Sequence, residues 1–170
     1  MKYVHRSACI SDCGRYRYWL RRSWLTGTGV VCFVMLNPST ADAEIDDPTV
    51  RRCMAFAQAW GYSALSVRNL FALRATDPRE LLKAEDPVGQ YGDTELGVAR
   101  TADLVVAAWG AKVPFERDRK ALALLQGVPL WCLGTTKHGH PRHPLYVASS
   151  QPLITFGDSW HSITGEKLPG

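Results

Sequence analysis

The run Val30-Val31-Cys32-Phe33-Val34-Met35-Leu36, followed by Asn37-Pro38-Ser39-Thr40, decides how the chain is read. An unbroken apolar stretch with several valines suits a strand covered on both faces, as in the middle of a parallel sheet. It stops where proline removes a ladder donor and where asparagine and serine side chains can bond the backbone of a turn. Polar groups therefore stand at the carboxyl end of a buried strand. Downstream, Asp47-Pro48 offers an N-cap and a first-turn proline, Val50, Cys53, Met54, Ala57 and Trp60 recur at helical spacing, and Gly61 suits the helix end. Strand, polar loop and helix make half of a βαβ unit, and in open α/β sheets ligands bind outside the carboxyl ends of strands. The Asn37 loop is thus the first candidate for a site, beside the plainer reading that Asn-Pro-Ser-Thr is only a turn.

Working outward, further strands are expected at 64–67, 103–109 and 128–133. Between them a helix start stands at Thr76 to Pro78, a helix end at 94–101, and a helix over 114–126, with Phe115, Leu122 and Leu125 inward and Glu116 through Lys120 outward. This alternation predicts an α/β three-layer sandwich: a mostly parallel four-stranded central sheet with helices on both faces. Ahead of it, residues 7–24 read as an N-terminal β-hairpin turning at Cys13-Gly14. There Arg15, Arg17 and Arg21 alternate with Tyr16, Tyr18 and Leu20, which predicts one wet face and one buried face. Interleaved arginines and aromatics also suit nucleic acid, by charge and stacking. Beyond Val147 one short apolar piece remains, at 152–156, and then a polar tail expected to be loose.

A chain of 170 residues, 46% of them apolar, is expected to form a single domain over 1–170 with its core at about 7–156. Twenty Lys and Arg against sixteen Asp and Glu give a net charge of +4, which permits contact with phosphate without demanding it. The excess is concentrated early, where Lys2, Arg6, Arg15, Arg17, Arg21 and Arg22 face only Asp12: a phosphate-facing edge or a solvated strand face. Five cysteines without a Cys-x-x-Cys pair argue against a disulfide framework and against a thiolate metal site. Cys32 and Cys132 read as small buried hydrophobes. With no signal peptide and no apolar stretch long enough to span a bilayer, the expectation is a soluble, cytoplasmic protein.

Two further places carry chemistry. Asn69, at the end of the second core strand, offers an amide with an acceptor and two donors, enough to pair with the edge of a base or to satisfy loop backbone. The loop after the fourth strand, 134–146, holds His138, His140 and His143 with Lys137 and Arg142, a set suited to an anionic ligand or leaving group. Three histidines as zinc ligands are the competing reading.

Leu36-Asn37-Pro38-Ser39-Thr40-Ala41, Asp47-Pro48-Thr49, Trp60-Gly61-Tyr62, Arg68-Asn69-Leu70-Phe71 and His143-Pro144-Leu145 occur in an order that resembles a family of bacterial and phage proteins known mainly as a domain of unknown function. More distantly, the order is similar to the uracil-DNA glycosylase superfamily, especially its mismatch-specific thymine/uracil branch. That resemblance implies a glycosylase-like fold and a monofunctional DNA glycosylase that breaks the N-glycosidic bond of a flipped uracil-like or modified base and leaves an abasic site. A hypermodified phage cytosine or uracil removed in anti-phage defence is the specific form expected. Carried over, Asn37 would hold the attacking water, Asn69 would read the base with Phe71 beside it, and His143 would donate to the departing base. Leu145 or Tyr146 would lie where an intercalating side chain is expected, with Ser39, Lys137 and Arg142 on the DNA backbone. Were a general base needed, Asp42, Glu44, Asp46 and Asp47 are at hand, and Asp46 is preferred because Asp47 is taken as the helix cap. Cysteine spacing does not match the iron-sulfur branches, so no cofactor and no metal are expected. DNA is the expected partner and the chain a monomer. The alternatives are a non-catalytic nucleotide or nucleic-acid binder, and a hydrolase of free nucleosides or nucleotides.

Overall fold

The computed structural model describes residues 3–157; the polar tail expected after residue 157 lies outside them. One sheet organises the chain. Its strands are β1 (Tyr3–Ile10), β2 (Arg17–Trp24), β3 (Val30–Met35), β4 (Ala64–Asn69), β5 (Leu104–Ala107), β6 (Leu130–Cys132) and β7 (Ile154–Thr155). In space they run β1-β2-β4-β3-β5-β6-β7. The four central strands, β4-β3-β5-β6, are parallel, with Val31 opposite Leu65 on one side and Leu104 on the other. They are the four strands read from the sequence, but the sheet has seven. The hairpin β1-β2 joins β4 antiparallel, and β7 adds antiparallel to β6. A free edge on β4 would leave a row of unpaired backbone groups, and pairing with β2 removes it.

Alternation along β3 sorts the core. Val31, Phe33 and Met35 face one apolar cluster, and Cys32 and Val34 face another, as the two-residue period of a strand requires. The first cluster is closed by α1 (Pro48–Ala59), which buries Val50, Cys53, Met54, Phe56 and Ala57. The second is closed by α2 (Gly92–Gly97) and α3 (Arg117–Leu124), through Leu96, Ala121 and the following Leu125. Phe33 is fully buried and stacks on Trp60 at 6.0 Å between centroids. Burying such a ring contributes about 1.5–3 kcal/mol.

The ends of α1 form as the sequence suggests. Asp47 accepts the Val50 amide at 2.8 Å, Pro48 opens the helix, and Gly61 follows its end at φ +82°, a backbone region that favours glycine. Elsewhere the expectations fail for identifiable reasons. The helix over 114–126 is broken: Pro114–Glu116 is a 3-10 turn, Phe115 and Glu116 take positive φ, and Phe115 is 62% exposed. Within α3, Arg117 is buried because it donates to the Leu70 carbonyl at 2.7 Å and to Asp93 at 2.8 Å. The hairpin has no simple wet face either. Arg17 and Arg22 are 2% and 0% exposed. Arg22 is sunk among acceptors, Asp46 Oδ1 at 2.7 Å and the Asp42 carbonyl at 2.5 Å, and so pins the acidic loop that precedes α1.

Candidate functional site

Loops leaving β3 and β5 diverge to opposite faces of the sheet, α1 to one and α3 to the other, so a crevice opens between their carboxyl ends. Open α/β sheets bind ligands at such a switch point. A cavity of about 770 Å³ lies there, within the range of small-ligand sites. Its walls come from every parallel strand end: Met35 to Asn37 after β3, Asn69 closing β4, Trp109 to Lys112 after β5, and Thr136, Lys137 and 141–143 after β6. The first turn of α1 adds Asp47, Thr49 and Val50.

Asn37 is held by its nitrogen. Nδ2 donates to the Pro38 carbonyl at 3.0 Å and to the Ala75 carbonyl at 2.8 Å. Two carbonyl partners leave only one amide orientation, since only the NH₂ can donate to both. Oδ1 is then the atom available to an incoming proton donor. Asn69 is the reverse case. It is 4% exposed, and neither Nδ2 nor Oδ1 has a hydrogen-bond partner among the described residues. Burying an unpaired amide costs about 1–3 kcal/mol, so native proteins rarely leave one without a reason.

His143 caps the short 3-10 turn Pro144–Tyr146 by accepting the Leu145 amide at Nδ1, at 3.2 Å. The proton of the neutral ring is therefore on Nε2. Burial pushes the imidazole below the usual histidine range, with the nearby Asp47 charge working the other way. The ring is therefore neutral near pH 7, with its proton on Nε2. Its loop is anchored twice. Arg52 of α1 donates to the Val147 carbonyl at 2.6 Å and to the Pro144 carbonyl at 3.3 Å, and Gly110 donates to the Pro141 carbonyl at 3.0 Å. At the rim Leu145 is 43% and Tyr146 80% exposed, an unusual display for large apolar side chains.

Of the residues singled out in the sequence, Asn37, Ser39, Asn69, Lys137, Arg142, His143, Leu145 and Tyr146 all line this one cavity. Asp46 and Phe71 do not. Asp46 is turned away, with its carboxylate on Arg22. Asp47 takes its place in the wall: the cap uses Oδ1 only, and no hydrogen bond to Oδ2 is seen among the described residues. Phe71 is fully buried in the cluster beneath α2 and α3, edge-on to Phe115. Because β4 ends at Asn69, the chain turns before Phe71 and sends that ring to the opposite face. His138, His140 and His143 do not gather as ligands: among the described residues no three His, Cys, Asp or Glu side chains form a metal-holding group.

Three contributors were missed. Trp109 and Lys112 follow β5, and the rule that drew attention to the other strand ends applies equally there. The Trp109 indole N–H is buried without a hydrogen-bond partner among the described residues. Arg17 stood out only as one of the hairpin's interleaved arginines, with nothing in its local pattern to bring it into this cavity. It donates to the Ala41 carbonyl at 2.8 Å, and burial lowers its pKa to about 10 against the opposing pull of Asp47, which leaves it cationic at neutral pH. Arg17, Lys112, Lys137 and Arg142 thus surround a cavity whose wall holds one carboxylate, Asp47. The field favours an anionic ligand.

Fold and site together define an α/β protein with a cationic ligand cavity at the carboxyl ends of its parallel strands. Residues 17–145 match the model of a family described as protein of unknown function (DUF1643), and the chain belongs to that family. No curated protein and no solved structure gives a significant match. Nothing in these comparisons links the chain to the uracil-DNA glycosylase superfamily.

Proposed function

We propose that the protein is a DNA glycosylase that hydrolyses the N-glycosidic bond of an everted uracil-like or modified base. The observation that carries this reading is the meeting of Asn37 Oδ1, the unpaired Asn69 amide and the His143 ring in one cavity. An amide with a free acceptor and a free donor matches the paired hydrogen bonds of a base edge. As the glycosidic bond breaks, its electron pair leaves with the base, and His143 Nε2–H donates to the anion that forms. Asn37 Oδ1 orients the water that attacks the anomeric carbon, and Asp47, rather than Asp46, is the carboxylate placed to take its proton. Taking a base out of the stack costs a few kcal/mol. Leu145 and Tyr146 at the rim serve as the wedge, and Lys137 and Arg142 as the backbone clamp.

The test is incubation of the protein with plain, uracil-containing and modified phage DNA, scoring abasic sites. Release is expected from at least one of the last two, abolished by Asn37→Ala and by His143→Ala with DNA binding largely kept. Release from none of them, with binding intact, would make the protein a binder instead, and activity on free nucleotides alone would make it a nucleotide hydrolase.

A further inference from the structure

A second cavity, of about 590 Å³, adjoins the first, and Ser39, Ala75 and Thr76 line both. Ser39 Oγ and Thr76 Oγ1 stand 3.5 Å apart on that shared wall. The far side is built by the turn of the β1-β2 hairpin, which the backbone stitches to the segment after β4. Arg17 N donates to the Ala72 carbonyl at 2.9 Å, Arg74 N to the Arg15 carbonyl at 2.8 Å, and Ala75 N to the Pro38 carbonyl at 2.9 Å. These bonds hold Arg15 and Arg74 on one wall, with Lys83 contributing from beyond the 3-10 turn Pro78–Leu82. Glu80 is the one carboxylate lining the groove, and none of the three cations forms an ion pair among the described residues. Arg74 Nε is buried with no hydrogen-bond partner there, while Nη1 reaches the Gly14 carbonyl at 3.3 Å. Unpaired guanidinium and ammonium groups beside the hydroxyls of Ser39, Thr40 and Thr76 form a donor-rich, acceptor-poor surface, the complement of phosphate oxygens.

We infer that this groove is a phosphate subsite that carries the phosphodiester backbone of a single strand away from the nucleotide held in the first cavity. The inference rests on the reading that a nucleotide occupies the first cavity, and not on hydrolysis. The hairpin, which lies outside the parallel core, then gains a function as the outer bank of the strand path. An everted nucleotide pulls its flanking phosphates toward the protein, and Ser39 stands where the two cavities meet. A free nucleotide with a phosphate tail offers the same chemistry, so the test includes both.

Affinity for single-stranded oligothymidylate is measured against salt concentration for the wild type and for Arg15→Ala/Lys83→Ala, two exposed positions at which the fold has little at stake. Each lost phosphate contact on a single strand flattens the plot of log K against log salt by about 0.7, so the double variant is expected to be shallower by about 1.4. An unchanged slope and affinity would overturn the inference. So would a loss confined to a nucleoside triphosphate probe, which would assign the groove to a free nucleotide. Base release is scored separately. A shallower slope in a protein that releases no base keeps the strand path and removes the glycosylase reading; release together with an unchanged slope does the opposite.

Discussion

Asn37 and Asn69 are the same side chain in opposite circumstances, and the difference can be read as stability. Asn37 spends both amide hydrogens on carbonyls of two loops, so Asn37→Ala is expected to destabilise the protein by about 1–2 kcal/mol, near 1 for each bond lost. Asn69 has no partner to lose. Asn69→Leu is therefore expected to stabilise the protein by about 1 kcal/mol, read as a higher urea midpoint, while abolishing base release. A destabilised Asn69→Leu protein would mean that the amide is structural. His143 gives a pH signature. Its folded pKa lies below the ordinary value of about 6.5, so the unfolded chain binds the proton first. The contribution to stability is whole above that value and is lost as pH falls through the depressed folded pKa. Protonation also sets a ring N–H against the Leu145 amide, which removes the cap of the turn carrying Leu145 and Tyr146. Melting wild type and His143→Ala between pH 5 and 8 checks this: the wild-type curve should fall toward acid more steeply, and parallel curves would contradict it.

At the level of the element, α1 does two things from one residue. Asp47→Asn keeps a good N-cap and removes the charge from the cavity wall. Stability is expected to change by no more than a few tenths of a kcal/mol while base release falls steeply, whereas Asp47→Ala should add a folding loss of about 1 kcal/mol. Full activity in Asp47→Asn would remove the carboxylate from the reaction. Asp46→Asn should do the reverse, weakening the fold through Arg22 with little effect on turnover per folded molecule. Sequence alone favours Asp46 if the cap is taken to occupy Asp47, although a carboxylate has two oxygens and the cap takes one. Strand ends, by contrast, were legible, because an apolar run that gives way to Asn37-Pro38 or to Gly134-Thr135 marks where a buried strand meets solvent. Buried arginines were not. The carboxylate partner of Arg22, Asp46, and the carbonyl partner of Arg117, Leu70, lie more than twenty residues away along the chain, and no local pattern announces them.

Across the whole molecule, four parallel strands bring separated loops to one rim, and the antiparallel hairpin closes the edge of the sheet and banks the second groove. The hairpin was legible from its own residues but its place in the sheet was not, since register between β2 and β4 depends on residues some forty positions apart. A net charge of +4 is modest for the proposed grip on DNA, but Arg17, Lys112, Lys137 and Arg142 line the first cavity and Arg15, Arg74 and Lys83 the second. Binding should accordingly weaken sharply with salt. The most direct measurement is the structure of the protein with DNA bearing a 2′-fluoro analogue of the target nucleotide, which slows bond cleavage. The expected result is the base lodged in the 770 Å³ cavity, with the Asn69 amide paired to its edge and His143 Nε2 within hydrogen-bonding distance. A base that stays stacked in the duplex, or enters a different part of the surface, would contradict it.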